Sequence, residues 1–419
     1  MKNLKWYWKT LIAFIAVVVA FFVAREVKHQ IHEYKLEHTD IPKLYFTGDI
    51  SEMLDKSDER QIAFKYVNDD QTVEGFAEIK IQGTSSIQYE KKNYTLKFFR
   101  DEALSDKLEI DVGWGPQSKY CMKANYIDRT HARNVVTAKL ASKMQAKYDL
   151  LTQAPRNGLI DGFPIEIFDN GEFLGLYTFN IPKDAWQFGM DSDNPDHIVI
   201  CGEGWEAANL FNGMPDFETW AVEVGEESDE TLAKMNRLFD FVVNSTDEEF
   251  KTNFEQYLNL DSALNYYIMA DLAYMPDNMG KNMLIATYDG MEWYLSLYDL
   301  DTTWGTNYSG KELYDYESEL LDMSANNLFV RMEKAFSREL AERYFELRAD
   351  LLSNDAIMAE FEAFKADIPE MTFEKERLRW SMHPNFLKEG LLGADYDQIE
   401  AYLNAVSDRL DAKYSAWLN

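Results

Sequence analysis

Apolar and polar residues alternate with period two over residues 75–82 (GFAEIKIQ), and the same rhythm returns over 92–99 (KNYTLKFF). Alternation of this kind predicts half-buried strands. It places Lys92, Tyr94, Leu96 and Phe98 on one face of the second strand and Lys97 on the other. Gly83-Thr84-Ser85-Ser86 interrupts the two runs as a turn. Residues 164–180 (PIEIFDNGEFLGLYTFN) predict a hairpin, because Asn170-Gly171 at the tip suits a type I′ turn. A helix is expected over 130–147, with Thr130 as its N-cap. Beyond Pro182 the spacing changes to three and four residues over 229–243, 261–274, 332–352 and 355–366, which predicts helices. One exception is a second hairpin over 283–298 around Asp289-Gly290. The pattern describes an α+β protein, with a β-rich lobe over 41–185 and a mainly helical lobe over 186–419.

The N-terminus has a different character. Residues 11–24 (LIAFIAVVVAFFVA) are apolar without a break and follow Lys2, Lys5 and Lys9. As a helix that run covers about 21 Å, short of the roughly 30 Å hydrocarbon layer. Extended back to Trp6 it covers about 28 Å, with Trp6, Tyr7 and Trp8 at the interface. Phe22 fits a small-residue cleavage site poorly, which favours an uncleaved transmembrane anchor over 10–27 above a cleaved signal peptide. Residues 1–9 would then stay inside the cell, 28–40 would form a polar stalk, and the rest would be exported. His29, His32 and His38 in that stalk are spaced too loosely to suggest a metal site.

Charge narrows the partners. The chain has 419 residues, with 73 acidic against 42 basic side chains and a net charge of −31. Such a surface repels phosphate backbones, so nucleic acid is not an expected partner. A polyphosphate ligand would need a local cationic pocket or a metal. Cys121 and Cys201 are too few for a disulfide scaffold, and the sequence leaves open whether they pair.

Residues 276–305 (PDNMGKNMLIATYDGMEWYLSLYDLDTTWG) carry the densest chemistry. A loop presents Asp277, Asn278, Lys281 and Asn282, and the hairpin after it ends in Asp299-Leu300-Asp301. Folding the hairpin back brings three carboxylates and two amides to one sheet edge. Such a cluster repels itself without a cation, and hard oxygen ligands suit Mg²⁺ or Mn²⁺. The same residues also fit two hairpin ends with solvated acids, and spacing alone does not choose between these.

Four segments in register resemble the CotH kinases, spore-coat and secreted proteins with an atypical protein-kinase-like fold. They are Lys80 to Ser86 with Lys91 to Phe98, Tyr126 to Thr130 with Arg133-Asn134, Asn170 to Tyr177, and Asp277-Asn278 with Lys281-Asn282 and Asp299-Leu300-Asp301. The resemblance covers about residues 41–305 and implies a two-lobed kinase-like fold using ATP with Mg²⁺ or Mn²⁺. It makes Asp277 the catalytic aspartate that orients or deprotonates the acceptor hydroxyl. Asp301, with Asp299 and Asn282, would hold the metal. Lys92 or Lys97 would neutralise phosphate charge, Lys281 would lie near the nucleotide, and Tyr298 would stand near the base. Lys91 reads as a solvated neighbour. Gln82, Thr84, Asn180 and Tyr298 depart from the family pattern, and Tyr298 stands where a Trp is usual.

The function implied is an exported, membrane-anchored kinase that phosphorylates Ser or Thr of surface or coat proteins. Two rivals stand beside it: a non-catalytic assembly or adhesion protein that keeps the fold, and a nucleotidyl transferase. Ordinary kinase, P-loop, zincin and α/β-hydrolase motifs are missing from the sequence. Trp293, Trp304 and Tyr308 fit a sugar cleft or core packing. Met269, Met275, Met279 and Met283 read as core filling. His131 and His383 read as isolated, and Arg133 and Asn134 as the opening of a helix.

Overall fold

The structure is a computed structural model, and it describes residues 41–419 except 69–70, 85, 308–309, 311–319 and 381–395. The expected anchor and stalk lie outside the described residues, as do Tyr308 and His383. No helix among the described residues is long and apolar enough to cross a membrane.

Among the described residues, seven strands close a barrel in the order β1-β2-β3-β4-β5-β7-β6. The strands are β1 (Lys43–Thr47), β2 (Glu59–Val67), β3 (Thr72–Gln82), β4 (Asn93–Phe99), β5 (Lys119–Lys123), β6 (Gly162–Asp169) and β7 (Glu172–Asn180). Neighbours run antiparallel except β1 and β6, whose parallel pairing closes the ring. Closure leaves no exposed sheet edge, and each strand turns alternate residues inward. Tyr94, Leu96 and Phe98 of β4 are buried, with Ile79 and Ile81 of β3 and Tyr120 and Met122 of β5. Lys97 points outward, as the alternation predicts, and pairs with Glu78 at 2.6 Å. At the β6–β7 turn, Asn170 and Gly171 both have positive φ, the backbone of a type I′ turn.

The second half is less purely helical than its pattern suggests. A four-stranded antiparallel sheet of order β11-β10-β8-β9 lies within it. The expected hairpin supplies β10 (Met283–Thr287) and β11 (Trp293–Leu297). Sequence reading missed β8 (Ile198–Gly202) and β9 (Trp220–Val224). Every residue of β8 is buried, so it reads as a short apolar run without the alternation that marks a half-exposed strand.

Helices Asp229–Asn244, Leu260–Leu272, Asn327–Arg348 and Asn354–Ala366 occupy the segments expected. Helix Tyr396–Leu418 crosses behind the site loops: Tyr402 donates to the Leu272 carbonyl at 2.8 Å, and Gln398 donates to that of Trp304 at 3.1 Å. The helix expected from Thr130 starts at Arg133. Asp128 accounts for the shift, because its carboxylate accepts from the backbone N–H groups of Thr130 at 3.0 Å and Arg133 at 2.9 Å. Trp293, Trp304 and the four methionines are core residues, so neither Trp lines a sugar cleft. Cys121 and Cys201 are separate buried thiols.

Candidate functional site

Three loops meet where the barrel faces the helical part. Helix Leu260–Leu272 ends, and a short turn over Pro276–Met279 presents Asp277. Tyr266 of the helix donates to the Asn278 carbonyl at 2.6 Å, and the Asn278 side chain donates to the Tyr298 carbonyl at 2.8 Å. The turn is thereby tied to the far end of its own hairpin. Asn282 closes the loop with a left-handed backbone, its N–H bonded to the Gly202 carbonyl at 2.8 Å. Only glycine fits at 202, since a Cβ there would lie 1.9 Å from the Gly280 carbonyl oxygen.

The hairpin ends in Asp299-Leu300-Asp301, with Asp299 also left-handed at φ 57°. The start of helix Arg133–Lys147 holds this segment. Asn134 accepts from the Leu300 N–H at 3.0 Å, and Arg133 donates to the Thr303 carbonyl at 3.1 Å. Arg133 is fully buried, paired with Asp128, and donates to Gln398 at 2.6 Å. Asn125, His131, Asn282, Asp299 and Trp304 all have positive φ. Such conformations are unfavourable for non-glycine residues and gather where the surroundings dictate the backbone.

Asp299 and Asp301 line a cleft with Ser86, Lys91, Asn93, Lys123 and Asn134. Burial raises the Asp301 carboxyl well above the usual range, and the neighbouring Asp299 charge adds to the effect, with Lys123 opposing it. Asp277 is raised too, first by burial; Lys281 opposes the shift and Asp299 adds to it. The three acids therefore sense one another, as the hairpin geometry predicts. Lys123, the last residue of β5, has its ammonium 3.5 Å from Asp299. Burial opposes its charge, but its surroundings, Tyr298 and Asp299 foremost, hold its ammonium above the usual value. A buried lysine needs such a partner.

The structure does not bring every expected residue to the cluster. Lys92 donates to the Ile87 carbonyl at 2.6 Å and to the Tyr89 carbonyl at 2.5 Å, so its ammonium is spent on the loop after β3. Lys97 lies outside the barrel with Glu78. Lys91 is not solvated: it is buried and donates to Glu376 at 2.6 Å and to the Ala124 carbonyl at 2.8 Å. Lys281 does face Asp277 electrostatically. No hydrogen bond among the described residues joins the Asn282 side chain to the acids.

Tyr298 is 8% exposed, with Lys183 4.6 Å and Lys123 5.3 Å from its ring centre. Its hydroxyl meets Gln82 at 3.3 Å and Lys123 at 3.4 Å. It is packed between the barrel and the acidic loop.

Lys123 and Lys183 are the residues that sequence reading missed. The available signal for Lys123 was a lysine closing the mainly apolar run KYCMK. Cys201, Glu203 and Glu223 bring ligand atoms within 4.8 Å of one another, but Lys183 already pairs with Glu223 at 2.5 Å.

A comparison with curated proteins finds no match. The family described as CotH kinase protein matches residues 79–411, which run from the end of β3 through β4 to β7, all three loops and most of the helical part. The chain belongs to the CotH kinase protein family.

Proposed function

We propose that this protein is a kinase that transfers the γ-phosphoryl group of ATP to Ser or Thr hydroxyls of surface or coat proteins, from an exported position held by its N-terminal segment. The observation that carries the reading is the meeting of Asp277, Asp299 and Asp301 with buried Lys123 at one cleft. Phosphoryl transfer asks little covalent chemistry of a protein and depends on positioning and charge neutralisation.

The acids fit a divalent cation. Asp301 has no hydrogen bond or ion pair to a described residue, and its carboxyl is raised by burial and by Asp299, a repulsion that a bound cation relieves. Asp301 and Asp299 would hold Mg²⁺ or Mn²⁺, which when bound neutralises charge on the nucleotide phosphates. Lys123 would meet phosphate oxygens, since Lys92 and Lys97 have their ammonium groups on a loop carbonyl and on Glu78. Asp277 would orient the acceptor hydroxyl and take its proton; its raised carboxyl makes it a better base than an ordinary aspartate. Asn134 and Asn278 keep the two acidic segments in register.

The position of the label decides the reaction class. γ-Labelled ATP that marks protein identifies a kinase, whereas α-label on protein identifies nucleotidyl transfer. No label from either, and no ATP binding, leaves a non-catalytic assembly protein.

A further inference from the structure

Asp271 is a fully buried acid in the last turn of helix Leu260–Leu272, on the approach to the turn that carries Asp277. A negative charge there opposes the helix dipole, and the helix has no basic residue in its last turn to offset it. The C-terminal helix supplies the offset. Lys413 donates to the Asp271 carboxylate at 2.8 Å, and the Tyr414 hydroxyl donates to the same oxygen at 2.9 Å. The other carboxylate oxygen has no partner among the described residues. Burial raises the Asp271 carboxyl, and Lys413 is the first group opposing that shift. A buried ion pair adds little net stability, but breaking it leaves an uncompensated charge.

The two ends of helix Tyr396–Leu418 engage the two acidic segments separately. Near its start, Gln398 accepts from Arg133 at 2.6 Å and donates to the Trp304 carbonyl at 3.1 Å, just past Asp301. Near its end, Lys413 and Tyr414 hold Asp271. Between them, Tyr402 donates to the Leu272 carbonyl at 2.8 Å. The Ala273 carbonyl accepts from the Trp304 N–H at 2.7 Å. The last carbonyls of a helix have no partner within it, and here they are met by the C-terminal helix and by the stretch after Asp301.

The last turns of the C-terminal helix are themselves braced. Tyr344 of helix Asn327–Arg348 stacks on Tyr414 at 3.9 Å and donates to Asp411 at 2.7 Å. The Lys413 ammonium lies 5.3, 5.6 and 5.4 Å from the ring centres of Tyr267, Tyr414 and Trp417. One helix thus ties the segment that carries Asp277 to the segment that carries Asp299 and Asp301.

We infer that Lys413 and Tyr414 are positioning residues: through Asp271 they set the turn carrying Asp277 against the Asp299–Asp301 segment. This rests on the proposed kinase reading, and the test separates the two. Steady-state transfer of γ-labelled phosphoryl to a Ser-rich acceptor is measured on the full chain with Mg²⁺, beside a denaturant melt. The variants are Lys413→Met, Lys413→Arg, Asp271→Asn, the double variant Asp271→Asn with Lys413→Met, and Arg348→Met. Arg348 bonds Ser407 of the same helix at 3.2 Å, so its loss loosens the helix without removing a group from Asp271.

In Lys413→Met and in Asp271→Asn, kcat should fall about tenfold with KM for ATP within about twofold, because Asp277 moves while the groups that hold the nucleotide stay. The double variant should fall no further than the single ones, since the two residues act as one unit. Lys413→Arg keeps the charge and should keep most of kcat. Arg348→Met should hold kcat within about twofold even where its melt midpoint drops as far. If Lys413→Met does not fold, Asp271→Asn, which keeps the shape of the side chain, decides. Unchanged kcat in the folded single variants overturns the inference and leaves the kinase reading standing. A matching loss of kcat in Arg348→Met does the same, because the helix would then act through stability alone. No labelling by the wild type overturns both.

Discussion

The Asn134 side chain accepts a hydrogen bond from the backbone N–H of Leu300 at 3.0 Å, so the residue between the two acids is held by the first turn of a helix 166 positions away. The preceding residue, Arg133, bonds the Thr303 carbonyl and Gln398, which extends the brace to the C-terminal helix. A segment with a left-handed Asp299 depends on such restraint.

Asn134→Ala leaves the Leu300 N–H buried without a partner, at a cost of about 1–3 kcal/mol in stability. The expected outcome is a folded protein whose kcat for transfer drops at least about tenfold, with KM for ATP little changed, since the acids lose their register. Steady-state kinetics beside a denaturant melt check this. Loss of stability with unchanged kcat would assign Asn134 to folding alone.

Lys123 and Lys97 offer a paired contrast. Lys123→Met removes the cation 3.5 Å from Asp299, and Mg-ATP affinity should fall more than about tenfold. Lys97→Met breaks an outward pair whose lysine is 43% exposed, worth at most about 1 kcal/mol, and should leave affinity within about twofold. Titration calorimetry separates them, and equal losses would contradict the placement of Lys123.

The acids predict a pH dependence with a definite sign. Asp277 and Asp301 have folded pKa values above the ordinary aspartate value of 3.8, through burial first and through Asp299. Their contribution to stability is fully present below the unfolded value and is lost as pH rises through the folded one. A divalent cation offsets that loss only once the carboxyls are ionised. The gain in Tm on adding Mn²⁺ should therefore be larger at pH 8 than at pH 5, and Asp301→Asn should flatten the difference. A larger gain at pH 5 would contradict the assignment.

Burial pushes the Cys201 thiol up to about 12 and raises that of Cys121. Thiolate is the reactive form, so both should resist a thiol reagent in the native protein and react fully in guanidinium. Two free thiols on unfolding would agree with their separation; none would indicate a disulfide.

How much of this could be read from the sequence depended on exposure. Strand β4 shows one face to solvent, so its alternation placed Lys97 outside correctly. The Asn170-Gly171 turn and the folding back of Asp277 onto Asp299 follow from local chain geometry, and both were legible. Strand β8 is buried on both faces and carried no period. The partners of the lysines were hidden for another reason. Lys91, Lys92 and Lys123 differ in what their ammonium groups meet across the fold, and those partners are Glu376, a loop carbonyl and Asp299. The parallel pairing that closes the barrel joins β1 to β6, strands more than a hundred residues apart, and nothing local announces it.

The most direct test of the central claim is transfer of γ-labelled phosphoryl from ATP to a Ser-rich protein acceptor by the purified full-length chain with Mg²⁺ or Mn²⁺. Wild type should label the acceptor, chelation should abolish labelling, and Asp277→Asn and Asp301→Asn should each reduce it at least about a hundredfold. Wild-type labelling that survives both substitutions would contradict the assignment of the acidic cluster as the site of phosphoryl transfer.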